Sequence, residues 1–216
     1  MSTLNDFLND VMPDVSGCTV DIAKHAIRNA CIEFCEKSLI LQRDHDPVTV
    51  VAGIVDYDFD PPANNLVTRI MRAWYKANEL TAVAPDSIRS SEVYNRLFSG
   101  ANVVRTDPTS ILQKDERTFS LYGIPKDTVA NGLTMRVALK PTRAATTVED
   151  VLLEDYAEII AAGAKARLMM SPNKPYTNPQ LAVGHMELFR QGTNVARQRA
   201  YRGHVRADLR VSLRSI

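Results

Sequence analysis

Four places in this chain bring together side chains capable of chemistry. His185-Met186-Glu187 has the H-x-E spacing of half a zinc deaminase centre, in which His holds the metal and Glu moves protons, but the P-C-x-x-C partner is missing. Asp44-His45-Asp46 sets two carboxylates around an imidazole, a donor set for a divalent metal. Three consecutive residues do not readily converge on one ion, and a polar helix-to-strand connection ending at Asp46-Pro47 accounts for them better. Cys31 and Cys35 share one face of an expected helix and would need His25 or Cys18 to complete a metal site; small buried thiols are the better reading. The fourth place is a run of arginines at positions 190, 197, 199, 202, 206, 210 and 214. No phosphate-cradling loop, dinucleotide fingerprint, nucleophile elbow or H-E-x-x-H motif occurs. No residue is therefore assigned a catalytic, cofactor-binding or metal-binding role, and a non-enzyme is expected.

The arginines admit three readings: a solvated face, a phosphate-binding strip, or a docking element. All seven basic residues from Met186 to Ile216 are Arg and none is Lys. The planar, weakly hydrated guanidinium suits bidentate contacts at interfaces, whereas a merely solvated face would mix in Lys. From His204 onward, odd positions are Val205, Ala207, Leu209, Val211 and Leu213 and even positions are polar, a period of two that reads as a strand. A helix would align Val205, Leu209 and Leu213 but throw Ala207 and Val211 to the other side. Docking by strand addition is the favoured reading, with Arg202, Val205, Arg206, Leu209, Arg210, Val211, Leu213, Arg214 and Ile216 as contact residues. The alternative is a DNA-binding module that uses the same arginine strip. Tyr57, Phe59 and Trp74-Tyr75 would make a stacking platform for single-stranded nucleic acid, but Asp56, Asp58 and Asp60 alternate with the first two and would repel phosphate, so sheet core is preferred.

The elements that must position these residues follow from periodicity. Ile22, Ala26, Ile27, Ala30, Cys31, Phe34 and Cys35 recur at helical steps and predict a helix over Thr19 to Leu41, preceded by a shorter one from Thr3 to Val11 that Pro13 ends. Beyond Asp46-Pro47, β-branched and aromatic runs predict strands at Val48–Ala52, Tyr57–Asp60, Leu66–Tyr75 and Glu79–Val83, with more near Val103-Val104, Thr118–Tyr122 and Leu133–Lys140. Ile88–Phe98 is a weaker helix candidate. Thr146-Thr147-Val148-Glu149 has capping-box spacing ahead of a long helix whose apolar face is Val151, Leu152, Tyr156, Ile159, Ile160, Gly163, Ala166 and Met170. Within it Ala161-Ala162-Gly163-Ala164 invites close approach of a neighbouring helix. After a loop at Pro172–Thr177, Asn178-Pro179 places an N-cap before a proline and opens a last helix to about Tyr201.

Composition narrows the classes. The chain has 216 residues, 45% hydrophobic and 24% charged, with a formal charge of +1. That is an ordinary globular profile able to bury a core without disulfides or metals, and it argues against coating nucleic acid or an acidic membrane with the whole surface. The charge is uneven: Met186 to Ile216 sums to +5 and the rest to −4. Three cysteines with no paired spacing indicate a reducing compartment, Asp6 and Asp10 near the start are unlike a secretory leader, and no apolar run approaches the ~18 residues that span a bilayer. A soluble protein made in a cytoplasm is expected.

Several strings resemble the head-to-tail adaptor, or connector, proteins of tailed bacteriophages: Met12-Pro13-Asp14-Val15-Ser16-Gly17-Cys18 leading to Ala30-Cys31-Ile32-Glu33-Phe34-Cys35; Asp46 to Gly53 with Tyr57-Asp58-Phe59; Trp74-Tyr75; and Lys174-Pro175-Tyr176-Thr177-Asn178-Pro179. The similarity spans about residues 12 to 200. It implies a virion protein at the head-tail junction, made in the bacterial host cytoplasm, forming a ring of twelve copies beneath the portal protein and joined to tail proteins. A C-terminal extension, here Gly203 to Ile216, would grip the portal. Double-stranded DNA would pass through the bore without sequence-specific contact, and no cofactor or membrane is involved. The expected fold is α+β: an α-helical bundle from the N- and C-terminal helices (1–46 and 146–202), an inserted β-rich domain (47–145) and an extended C-terminal strand or tail (203–216).

Overall fold

The structure is a computed structural model that describes residues 1–84 and 105–203. In chain order its elements are β1 (Ser2–Thr3), α1 (Leu8–Val11), α2 (Val20–Ser38), β2 (Gln42–Val50), β3 (Asp56–Asp58), β4 (Asn65–Tyr75), β5 (Asn78–Glu79), β6 (Thr81–Ala82), β7 (Ser110–Gln113), β8 (Thr118–Tyr122), β9 (Val129–Pro141), β10 (Thr147–Val148), α3 (Asp150–Glu154), α4 (Ala157–Met169) and α5 (Pro179–Arg202), with a 3-10 turn at Met12–Asp14. Two compact units result, Met1–Ile40 with Arg143–Ile216, and Leu41–Thr142. The expected helix at Ile88–Phe98, the strand at Val103-Val104 and the terminal strand from His204 lie outside the described residues.

The chain is mixed α+β, but it is not a helical bundle with a β domain inserted. Its first unit contains a two-stranded antiparallel sheet, β1 against β10, in which Ser2 faces Val148 and Thr3 faces Thr147. The helix expected from Thr3 shrinks to the four residues of α1, because Thr3 is spent in that sheet. The same pairing defeats the capping box. Thr147 and Val148 are strand residues, and α3 begins after an extended Glu149 that makes no side-chain cap. The long helix expected there is two helices, α3 and α4, parted at Asp155-Tyr156. Val151 and Met170, expected on its apolar face, are exposed.

Burial in this unit follows helical period. α2 buries Ala23, Ala26, Ile27, Ala30, Cys31, Phe34 and Cys35, while Ile22, expected on that face, is exposed. The helix stops where Leu39 turns left-handed at φ 56° and its N–H donates to the Cys35 carbonyl. α4 and α5 approach closely because two glycines admit two large side chains. A Cβ at Gly163 would lie 2.5 Å from Phe189 Cδ2, and one at Gly192 would lie 2.6 Å from Ile159 Cδ1. Phe189 in turn packs against Phe34 of α2, so the three long helices share one core. Arg167 ties the same elements, donating to Glu33 and to the Gly163 carbonyl with its guanidinium over the Phe189 ring.

The second unit holds two four-stranded sheets, in the orders β2-β9-β4-β5 and β3-β8-β7-β6. All pairs are antiparallel except β6 with β7. The thirteen-residue β9 lies between β2 and β4. Its ladder with β4 slips between Val67 and Arg69 and again between Ile70 and Arg72. There the Gln113 side chain from β7 accepts from the Ile70 N–H at 3.0 Å and donates to the Val67 carbonyl at 3.2 Å, so one amide links the two sheets. β2 starts at Gln42 and runs through Asp46-Pro47, so that dipeptide is strand and not a boundary.

Candidate docking surface

The chemically suggestive clusters resolve into structural roles. His45 lies within β2 and not in a connection; it is buried, its Nδ1 donating to the Asp46 carbonyl at 2.7 Å and its Nε2 accepting from the Asp60 N–H at 2.9 Å. Both ring nitrogens are occupied by backbone, which ties β2 to the segment after β3. Cys31 and Cys35 sit in the core of α2, and burial pushes the Cys31 thiol up to about 12 and Cys35 well above its usual range. His185 lies on α5 beside the Asp14–Lys165 ion pair, held below the ordinary histidine range first by desolvation and then by the Lys165 charge. Glu187, two residues on, is engaged by Gln191 and Arg190 of its own helix, and its carboxyl is lowered by those contacts. Among the described residues no group of three or more His, Cys, Asp or Glu is arranged to hold a metal. No described helix is long and apolar enough to cross a membrane.

The aromatic residues divide. Tyr75 and Phe59 are buried, Tyr57 stacks on Phe119 at 5.6 Å between ring centroids, and the half-buried Trp74 carries Arg72 over its ring. Asp56 is committed to Lys114 and Ser120, which lower its carboxyl. This is sheet core with a charged face.

Two of the strings noted in the sequence meet in space. Gly17, at φ +83°, brings its backbone against the Pro175 ring, where an added Cβ would be 3.3 Å from Pro175 Cβ. Nearby the buried Tyr176 and Cys18 interact, and Thr177 Oγ1 donates to the Ser171 carbonyl at 2.6 Å, closing the turn between α4 and α5. Asn178 then accepts from the Leu181 N–H at 3.2 Å, the cap its position predicts. These contacts aim α5, the helix that leads to the arginine-rich end.

The model of the SU10 adaptor protein family matches residues 2–211. The chain belongs to that family. It is thus a phage head-tail adaptor protein, as the strings suggested, and a structural virion component. No curated protein matches the chain. Of the docking residues named from the sequence, only Arg202 is described: it is exposed in the last turn of α5, and Gly203 ends that helix at φ 65°. Val205, Arg206, Leu209, Arg210, Val211, Leu213, Arg214 and Ile216 lie outside the described residues.

Sequence reasoning missed what α5 leaves uncovered. Its buried row is Ala182, Phe189, Thr193 and Ala196, and large apolar side chains stand exposed on both flanks of that row: Leu181, Leu188 and Val195 on one, Val183, Met186 and Tyr201 on the other. The signal was present as an excess of apolar positions over what one helical stripe needs.

Proposed function

We propose that this adaptor forms a ring, of twelve copies, that joins the portal at the capsid vertex to the tail and continues the channel through which double-stranded DNA passes. Family membership over residues 2–211 carries the reading. The residues from Gly203 to Ile216 act as the portal-gripping extension, and the lone apolar and arginine alternation of that segment supports strand addition to a partner sheet. Also in support, α5 stops at a glycine whose positive φ and extended ψ disfavour any other residue, so the extension is set off from the helix that leads to it. A formal charge of +1 suits a bore that DNA traverses without sticking.

Native mass spectrometry of the adaptor mixed with the portal ring from the same phage, with and without residues 203–216, tests this. One adaptor copy gained per portal subunit, and lost on truncation, is the expected result. Absence of association by the full chain refutes the reading, and a salt titration of binding to free duplex would then examine the DNA-binding alternative.

A further inference from the structure

We infer that the first unit carries a phosphate-binding pocket between the first half of α2 and the β1–β10 sheet, with Lys24 and Arg28 as its charged contacts. The site does not depend on ring formation.

The cavity has a volume of about 260 Å³, small beside the roughly 300–1,000 Å³ of pockets that hold drug-sized ligands, so its occupant is compact. Leu4, Asn5, Lys24, Arg28 and Thr146 are among the residues that wall it. Lys24 and Arg28 stand four residues apart on α2, so the helix stacks them on one face, and both are half-buried. Arg28 is anchored: its Nε donates to the Ala145 carbonyl at 2.8 Å, which leaves both Nη groups without a partner among the described residues. Lys24 makes no side-chain hydrogen bond or ion pair among those residues. The same holds for the Asn5 side-chain amide and the Thr146 hydroxyl, two further donors on the wall.

No carboxylate lines the cavity. Asp150 accepts from the Met1 amino group and from Ser2 Oγ, both at 2.7 Å, and Asp6 accepts from the N–H and the hydroxyl of Thr3. Asp21, one turn before Lys24 on the same side of α2, is exposed and pairs with neither cation, and His25 is engaged by Asn29. Two like charges on successive turns repel, and partial burial strengthens the repulsion. One dianion removes it. A phosphate monoester or inorganic phosphate carries close to two charges near neutral pH and several strong acceptor oxygens. These suit the planar fork of Arg28 and the point charge of Lys24 together. A single carboxylate, a chloride ion or a backbone diester of nucleic acid balances only one of the two cations.

Equilibrium dialysis of the full chain against radiolabelled inorganic phosphate near neutral pH tests the site. Saturable uptake of one phosphate per chain is expected, competed by sulfate and not by chloride at equal ionic strength. Lys24→Gln keeps the Arg28 anchor and removes one charged contact, so Kd should rise about tenfold or more. Lys37→Gln, which removes an exposed lysine near the other end of the same helix, should bind as the unaltered chain does. Far-UV circular dichroism and thermal melting check that both variants fold. No saturable binding by the unaltered chain, an unchanged Kd in Lys24→Gln, equal weakening in Lys37→Gln, or stronger competition by a short duplex lacking terminal phosphates than by sulfate would each overturn the proposal.

Discussion

Replacing Gly163 by alanine isolates the packing of α4 on α5. In an exposed helix interior the exchange would stabilise by about 1 kcal/mol through propensity alone. At Gly163, however, the new methyl would stand 2.5 Å from Phe189 Cδ2 and 2.7 Å from Cε2, so the ring or the helix must move by roughly 1 Å to restore contact near 3.5 Å. Phe189 has little room to yield: it is 2% exposed and sits among Phe34, Arg167 and the Gly163 backbone. Overpacking of this kind costs about 1–3 kcal/mol, and two ring atoms inside 3.0 Å put the site at the upper end. The net expectation is a loss of about 2 kcal/mol, or roughly 4–8 °C in Tm for a chain of this size. Gly184, on the exposed face of α5 with nothing within 4 Å of a built Cβ, is the control, and Gly184→Ala should stabilise by up to about 1 kcal/mol. Urea unfolding followed by circular dichroism at the helix band measures both. If Gly163→Ala proves as stable as Gly184→Ala, the glycine is not there to admit Phe189 and the reasoning fails. Adding Phe189→Leu to Gly163→Ala should give a total smaller than the sum of the two single effects, since the smaller side chain makes room for the methyl.

Cys31 and Cys35 should resist alkylation in the native state at neutral pH and react only as the chain unfolds, because burial keeps both as thiols; fast labelling followed by mass spectrometry would contradict this. Asn178→Ala removes the cap on the Leu181 N–H and should lower stability by about 1 kcal/mol, read from the urea midpoint. His185 is held below its usual range, so the unfolded chain takes up its proton first as pH falls; its contribution is present above about pH 6.5 and lost below it. His185→Gln should therefore flatten the fall in urea midpoint between about pH 7 and 5, and an unchanged slope would assign that fall to other groups.

Much of the helical architecture could be read from spacing. α2 buries the row its periodicity marks apart from Ile22, and the Asn178-Pro179 start of α5 acts as its residue types require, because these signals lie within one or two turns of chain. What failed were local signals that a distant strand overrode. Thr146 to Glu149 carries capping-box spacing, yet Ser2 and Thr3 pair with Thr147 and Val148 across more than a hundred residues and take that backbone into a sheet. His45 resembled part of a polar connection, but β9 recruits its segment into a strand and the Asp60 N–H completes its hydrogen bonds.

The sequence by itself determined the absence of a recognisable catalytic motif, the long amphipathic helices, the uneven charge and the likeness to phage adaptors, since each rests on residue type and short-range period. Only the tertiary structure decided that Gly163 and Gly192 are seats for Phe189 and Ile159, that Gln113 bridges two sheets, and which flanks of α5 stay uncovered. Those facts depend on which distant side chains come to lie within a few ångströms of each other, and no local pattern along the chain encodes that distance.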